Sequence, residues 1–112
     1  MRTSKNLLLI IGLIALSTTT GCDWSARWDL RQADKALQEA DKHHAEVWAE
    51  KEYRKAQVAL GEAIDLAKVR YVNEARDKAA EAKMWAEEAT DIAIARYEEM
   101  QEEKERLGSY KN

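Results

Sequence analysis

The sequence predicts an all-α protein: three amphipathic helices in an antiparallel hairpin or bundle, with alanine-rich seams and a last helix that overhangs its partners. Three observations predict it. The 112 residues contain no proline, so nothing locks the backbone out of a helix. Beyond Cys22 the only glycines are Gly61 and Gly108. Alanine recurs at alternating steps of four and three in three separate stretches, the spacing that keeps side chains on one helical face.

The chain opens differently. Residues 1–6 carry Arg2 and Lys5 and no acid, Leu7 to Leu16 is apolar apart from Gly12, and Ser17 to Gly21 is small and polar. A basic start, a short apolar stretch and a small-residue exit are the three parts of an export signal. The alternative is a membrane span, but ten residues at ~1.5 Å each reach about 15 Å, half of a ~30 Å hydrocarbon core. The junction Thr20-Gly21-Cys22 resembles the lipobox of bacterial lipoproteins, with Thr19 where that family usually has an aliphatic residue. The resemblance implies cleavage between Gly21 and Cys22, a diacylglycerol thioether on Cys22 and an acyl group on the new amino terminus. The segments expected are a leader at 1–21, a lipidated anchor and spacer at 22–25, a helical domain at 26–107 and a frayed tail at 108–112. One fatty chain binds a bilayer reversibly, whereas several hold it stably. Cys22 is the only cysteine, so no disulfide within the chain can brace the fold.

Cleavage would leave 91 residues, enough for one small domain, with sixteen Lys and Arg against twenty-one Asp and Glu. The resulting net charge of −5 disfavours nucleic acid as a partner, because phosphate binding needs clustered cations.

Helices are expected at about 26–43, 49–68 and 73–107. The first seam runs Ala26, Leu30, Ala33, Leu37, Ala40 and His44. The second runs Ala49, Tyr53, Ala56, Leu60, Ala63 and Ala67, and the third Ala75, Ala79, Ala82, Ala86, Ala89 and Ala93. The rhythm breaks at His44 to Ala49 and at Ala67 to Ala75, which marks two turns, a continuous kinked rod being the alternative. In the second break, Val69, Tyr71 and Val72 are poor helix formers. Asn73 is placed to cap the third helix, with Glu74 and Asp77 in its first turn. Gly61 costs the second helix ~1 kcal/mol relative to alanine unless a neighbour passes close.

Alanine seams bury little per residue but let two backbones approach. Trp85 and Ile92 widen the third seam on one flank and Ile64 the second, which suits helices that each touch two others. Glu50 with Arg54, Glu74 with Lys78, and Glu102 with Arg106 stand four apart, acid first, each worth ~0.2–0.5 kcal/mol to a helix. From Glu98 to Arg106 the chain is nearly all charge, and Tyr97, Met100 and Leu107 keep a thin seam. This reads as the overhang, fraying at Gly108.

Ala45-Glu46-Val47-Trp48-Ala49 before Glu52-Tyr53-Arg54-Lys55-Ala56, and Tyr71-Val72-Asn73-Glu74-Ala75 before the third seam, resemble a family of alanine-rich bacterial envelope proteins known as domain of unknown function 4398. The likeness spans Ala33 to Ala89 and implies helix junctions at the two breaks. Many members are lipoproteins, and in some the domain precedes an OmpA-like peptidoglycan-binding module, which is not seen here. Two departures stand out: Glu50 where a proline is frequent, and no glycine before Tyr71.

Trp24, Arg27, Trp28 and Arg31 cluster within about 100° on a helical wheel, opposite the first seam and directly after Cys22. Tryptophan favours the headgroup zone and arginine is drawn to anionic lipid, so this face is expected on the membrane surface. The alternative is that the two tryptophans fold back as core or belong to a spacer. His43 and His44 point ~100° apart on a helix, unlike the four-residue spacing that aims two ligands at one metal. No metal, cofactor or catalytic constellation is expected.

The functional expectation is a non-enzymatic, lipid-anchored envelope protein facing the periplasm, an adaptor that docks another envelope protein. Asp23 after the cysteine resembles the inner-membrane retention signal of enteric bacteria. The alternative is an oligomeric coiled coil linking membrane to peptidoglycan, like the major alanine-rich murein lipoproteins. Those end in a lysine joined to the wall, whereas Lys111 here is followed by Asn112.

Overall fold

The computed structural model describes residues 25–110. Within them the chain is helical except for two short turns: α1 over residues 25–42, α2 Ala45–Trp48, α3 Glu50–Lys68 and α4 Val72–Tyr110. The described residues contain no strand. The three long helices lie where the seams put them, and the single-turn α2 is an addition at the first junction.

Contacts between helices fix the topology. Asp29 of α1 pairs with Arg76 of α4 at 2.7 Å, and Glu62 of α3 pairs with Lys78 of α4 at 3.1 Å. Asp41 near the end of α1 accepts a 2.5 Å hydrogen bond from Tyr53 near the start of α3. α1 and α4 therefore run parallel, and α3 runs antiparallel to both.

Alanine fills the core. Ala33, Ala40, Ala45, Ala49, Ala56, Ala63, Ala82, Ala86, Ala89 and Ala93 are all 0% exposed. Leu37 and Tyr53 are the only larger side chains buried among the described residues. Cores with so little side chain close only if the backbones approach, near the short end of the usual 8–10 Å range. Leu30, Leu60, Trp85 and Ile92 are partly buried along the flanks of the two alanine clusters, as the widened seams require.

Both breaks are turns, and each places a non-glycine residue in the left-handed region: His44 at φ 57° and Arg70 at φ 66°. At the second, Tyr71 N–H donates to the Leu66 carbonyl and Arg70 N–H to the Ala67 carbonyl. This is the paired hydrogen bonding of a Schellman cap, whose left-handed position usually holds glycine. The missing glycine before Tyr71 therefore falls on the residue that most needs it. At the first turn, Glu50 is the first residue of α3, the position where proline costs a helix least.

Several sequence expectations are corrected. Ile64 is 40% exposed, while Ala59 is 4% exposed and packs with Ala33, Ala63, Ala79 and Ala82. α3 is rotated toward the Ala59 side because it must meet α1 as well as α4. His44 leaves the first seam for the turn, and Ala45 is buried in its place. Asn73 is the second residue of α4 and not its cap; the Tyr71 carbonyl already accepts from Ala75 N–H. Only Glu74 lies in the first turn, Asp77 falling one turn later. Of the three four-apart pairs, Glu50–Arg54 forms at 2.6 Å. Lys78 turns instead to Glu62 and Glu81, and Glu102 with Arg106 makes no ion pair among the described residues. α4 is helical through Gly108 to Tyr110, since each residue added to an existing helix gains a hydrogen bond without a new nucleus.

Candidate interaction surfaces at the two ends of the bundle

The antiparallel pairing brings distant segments to one end. Asp29 lies level with Arg76, so residue 25 lies about one helical turn lower, level with the start of α4. Glu62 lies level with Lys78, which brings the end of α3 to the same height. This first end therefore combines the beginning of α1 with the α3–α4 turn. The expected leader, the expected cleavage residues Gly21 and Cys22, and Trp24 lie outside the described residues, joined to this end through residue 25.

Arg27, Trp28 and Arg31 are exposed on α1, Trp28 at 53%. Trp28 is no core residue. It lies at the mouth of an open groove of about 720 Å³ between α1 and α4, spanned by the Asp29–Arg76 pair and bordered by Gln32, Asp77 and Lys83. In the α3–α4 turn, Val69 is 62% and Tyr71 59% exposed, flanked by Lys68 and Arg70, both exposed. Residues 66–73 hold those two cations and no acid. The sequence reading took Val69 and Tyr71 as helix breakers, used Tyr71 again in the family likeness, and gave Lys68 and Arg70 no role. The pattern Lys-Val-Arg-Tyr, apolar groups alternating with cations where a turn would ordinarily be polar, was the signal available.

The opposite end is held by four helices. The Tyr53–Asp41 bond links α3 to α1, and Arg96 of α4 donates to the Trp48 carbonyl of α2, occupying an acceptor that the short helix leaves open. The Asp41 carboxylate, burial and nearby Glu46 push the Tyr53 phenol up to about 12. Lys55 stands 4.2 Å from the centre of the Trp85 ring, a cation–π contact joining α3 to α4. None of these cross-helix pairs has a local spacing that a sequence reading could detect.

Beyond this point α4 goes on alone. Tyr97 is 50% and Leu107 61% exposed, and Met100 is partly covered. From Tyr97 to Tyr110 the arm has fourteen residues, about 20 Å of helix. Where it leaves the bundle, Lys42, His43, Ala93, Ile94, Tyr97 and Glu98 border a recess of about 520 Å³. His43, just past the end of α1, lies 3.3 Å from Glu39, and His44 in the same turn borders this recess too. Among the described residues no group of three His, Cys, Asp or Glu is placed to hold a metal ion.

The seam residues named from sequence separate by depth. Leu37, Tyr53, Ala63, Ala79 and Ala86 are buried; Leu30, Leu60, Trp85 and Ile92 line the edges. No helix among the described residues is long and apolar enough to cross a membrane. No protein-family model, curated protein or solved structure matches the chain.

Proposed function

We propose that this chain is a lipid-anchored, non-enzymatic protein of a bacterial cell envelope, an adaptor that holds a helical arm away from the membrane for another envelope protein to bind. One observation carries the reading. The end of the bundle that continues into residues 1–24 and the end from which α4 projects are opposite ends. A tether at Cys22 would therefore leave the arm pointing away from the bilayer, with five acids against three cations between Ile94 and Tyr110. An acidic arm is repelled by anionic headgroups and stays free for a partner. The periplasmic face of the inner membrane is the proposed address.

The coiled-coil alternative requires one long continuous helix, and two tight turns with a core shared by three helices weigh against it. The test is metabolic labelling with an alkyne palmitate, alongside photo-cross-linking from position 107. The parent protein should take up label and give a discrete cross-linked species, and Cys22→Ser should lose both. An unlabelled parent that remains full length ends the lipid reading. A ladder of self-adducts from position 107 would favour the oligomeric rod.

A further inference from the structure

We infer that the α3–α4 turn is a second membrane contact: Lys68, Val69, Arg70 and Tyr71 seat in the headgroup layer of an anionic bilayer beside the tether. The inference rests on the lipid-anchor reading but comes from a separate part of the chain. Three observations meet at this turn. It occupies the end of the bundle where residue 25 joins residues 1–24, so a tether at Cys22 would lie only a few residues along the chain from it. Val69 and Tyr71 are more than half exposed although one is apolar and the other aromatic. Lys68 and Arg70 flank them; of the acids close by, Glu62 is paired with Lys78 at 3.1 Å, Asp65 borders the same recess as Val69 and Tyr71, and Glu74 stands in the first turn of α4.

Aromatic and short apolar side chains with adjacent cations suit the membrane interface, where the ring sits among headgroups and the cations meet lipid phosphates. The charge distribution along the molecule agrees, since this tip is basic and the far arm acidic. Held by the tether and by this turn, the bundle stands on its end with α4 directed outward. A single-point tether would leave it free to swing.

The test uses the mature lipidated protein in phosphatidylethanolamine–phosphatidylglycerol vesicles, with Tyr71→Cys or Val69→Cys carrying an environment-sensitive fluorophore and Tyr97→Cys as the distal control. Since a lipidated Cys22 has no free thiol, each variant should take one label and the parent none. The expected result is a blue-shifted label at 69 and 71, quenched by nitroxide lipids, with neither effect at 97. Neutralising both cations (Lys68→Gln with Arg70→Gln) should lower the docked-to-undocked ratio roughly thirtyfold, the factor equivalent to ~1 kcal/mol for each basic residue at an anionic surface. Labels at 69 and 71 that behave like the one at 97 while the protein floats with vesicles overturn the inference and leave the anchor intact. A parent that takes label and does not float overturns the anchor reading, and the turn contact falls with it.

Discussion

Replacing Ala86 with leucine distinguishes two explanations of the alanine core. Ala86 is 0% exposed and belongs to the buried cluster that also holds Leu37 and Ala40 of α1, Tyr53 and Ala56 of α3, and Ala89 of its own helix. Leucine adds three carbons. Were the bundle able to open around them, burying the added surface would stabilise it by ~2.4 kcal/mol at ~0.8 kcal/mol per methylene. Where two backbones already stand at close approach, the added carbons instead force off-rotamer side chains and a shift of α4, costing ~1–3 kcal/mol. The second effect should win, because Ala86 faces both neighbours and movement away from one presses it against the other. Ala95→Leu, on the exposed face of the same helix, should stay within about 0.5 kcal/mol of the parent. Urea unfolding followed by far-ultraviolet circular dichroism measures both. An Ala86→Leu protein as stable as the parent, or more so, would refute the argument that alanine is there for close packing.

Other outcomes follow from single positions. Gly61→Ala should stabilise by ~1 kcal/mol, since an added methyl meets nothing within 4 Å, and should raise the melting temperature by about 4–8 °C. Arg70→Gly should also stabilise, by up to ~1 kcal/mol, by relieving a left-handed side-chain-bearing residue at the Schellman position; a lower melting temperature would show that the turn is held some other way. Raising the Tyr53 pKa to about 12 favours its protonated form in the fold, so this contribution is intact below pH 10 and is lost as pH climbs through 12. Spectrophotometric titration should show a phenol ionising near pH 12, and Tyr53→Phe should remove that step and flatten alkaline unfolding between those limits. Trp24→Ser with Trp28→Ser should reduce tryptophan quenching by brominated lipids, and unchanged quenching would remove the α1 face from the membrane.

How much of this was readable beforehand varies by element. The steps of four and three located all three seams, and their failures located both turns, because helical periodicity is a property of neighbouring residues. The wheel went wrong at α3, where the apolar weight of Ile64 suggested one flank and the methyl of Ala59 gave no hint of the other. Side-chain size cannot signal burial in a core that selects for smallness. Lys78 shows a similar limit: Glu74 lay at the favoured local spacing, but Glu62 on the antiparallel helix took the ammonium with Glu81, and together they raise its pKa. The candidate surfaces divide in the same way. Arg27, Trp28 and Arg31 were visible as a stripe, whereas the α3–α4 turn looked like a connector until pairing set it beside residue 25.

By itself the sequence determined that residues 25–110 are helical, where they bend, that alanine lines each long helix and that an acidic extension follows. Those are consequences of backbone propensity and of a 3.6-residue repeat, both local. Only the tertiary structure decided that α1 and α4 run parallel around α3, that Ala59 is inside and Ile64 outside, and that a basic, partly apolar turn and an acidic arm occupy opposite ends. Three alanine faces are nearly interchangeable as surfaces, so which meets which is settled by the ion pairs, the Tyr53–Asp41 bond and the two left-handed turns that only the folded chain brings together.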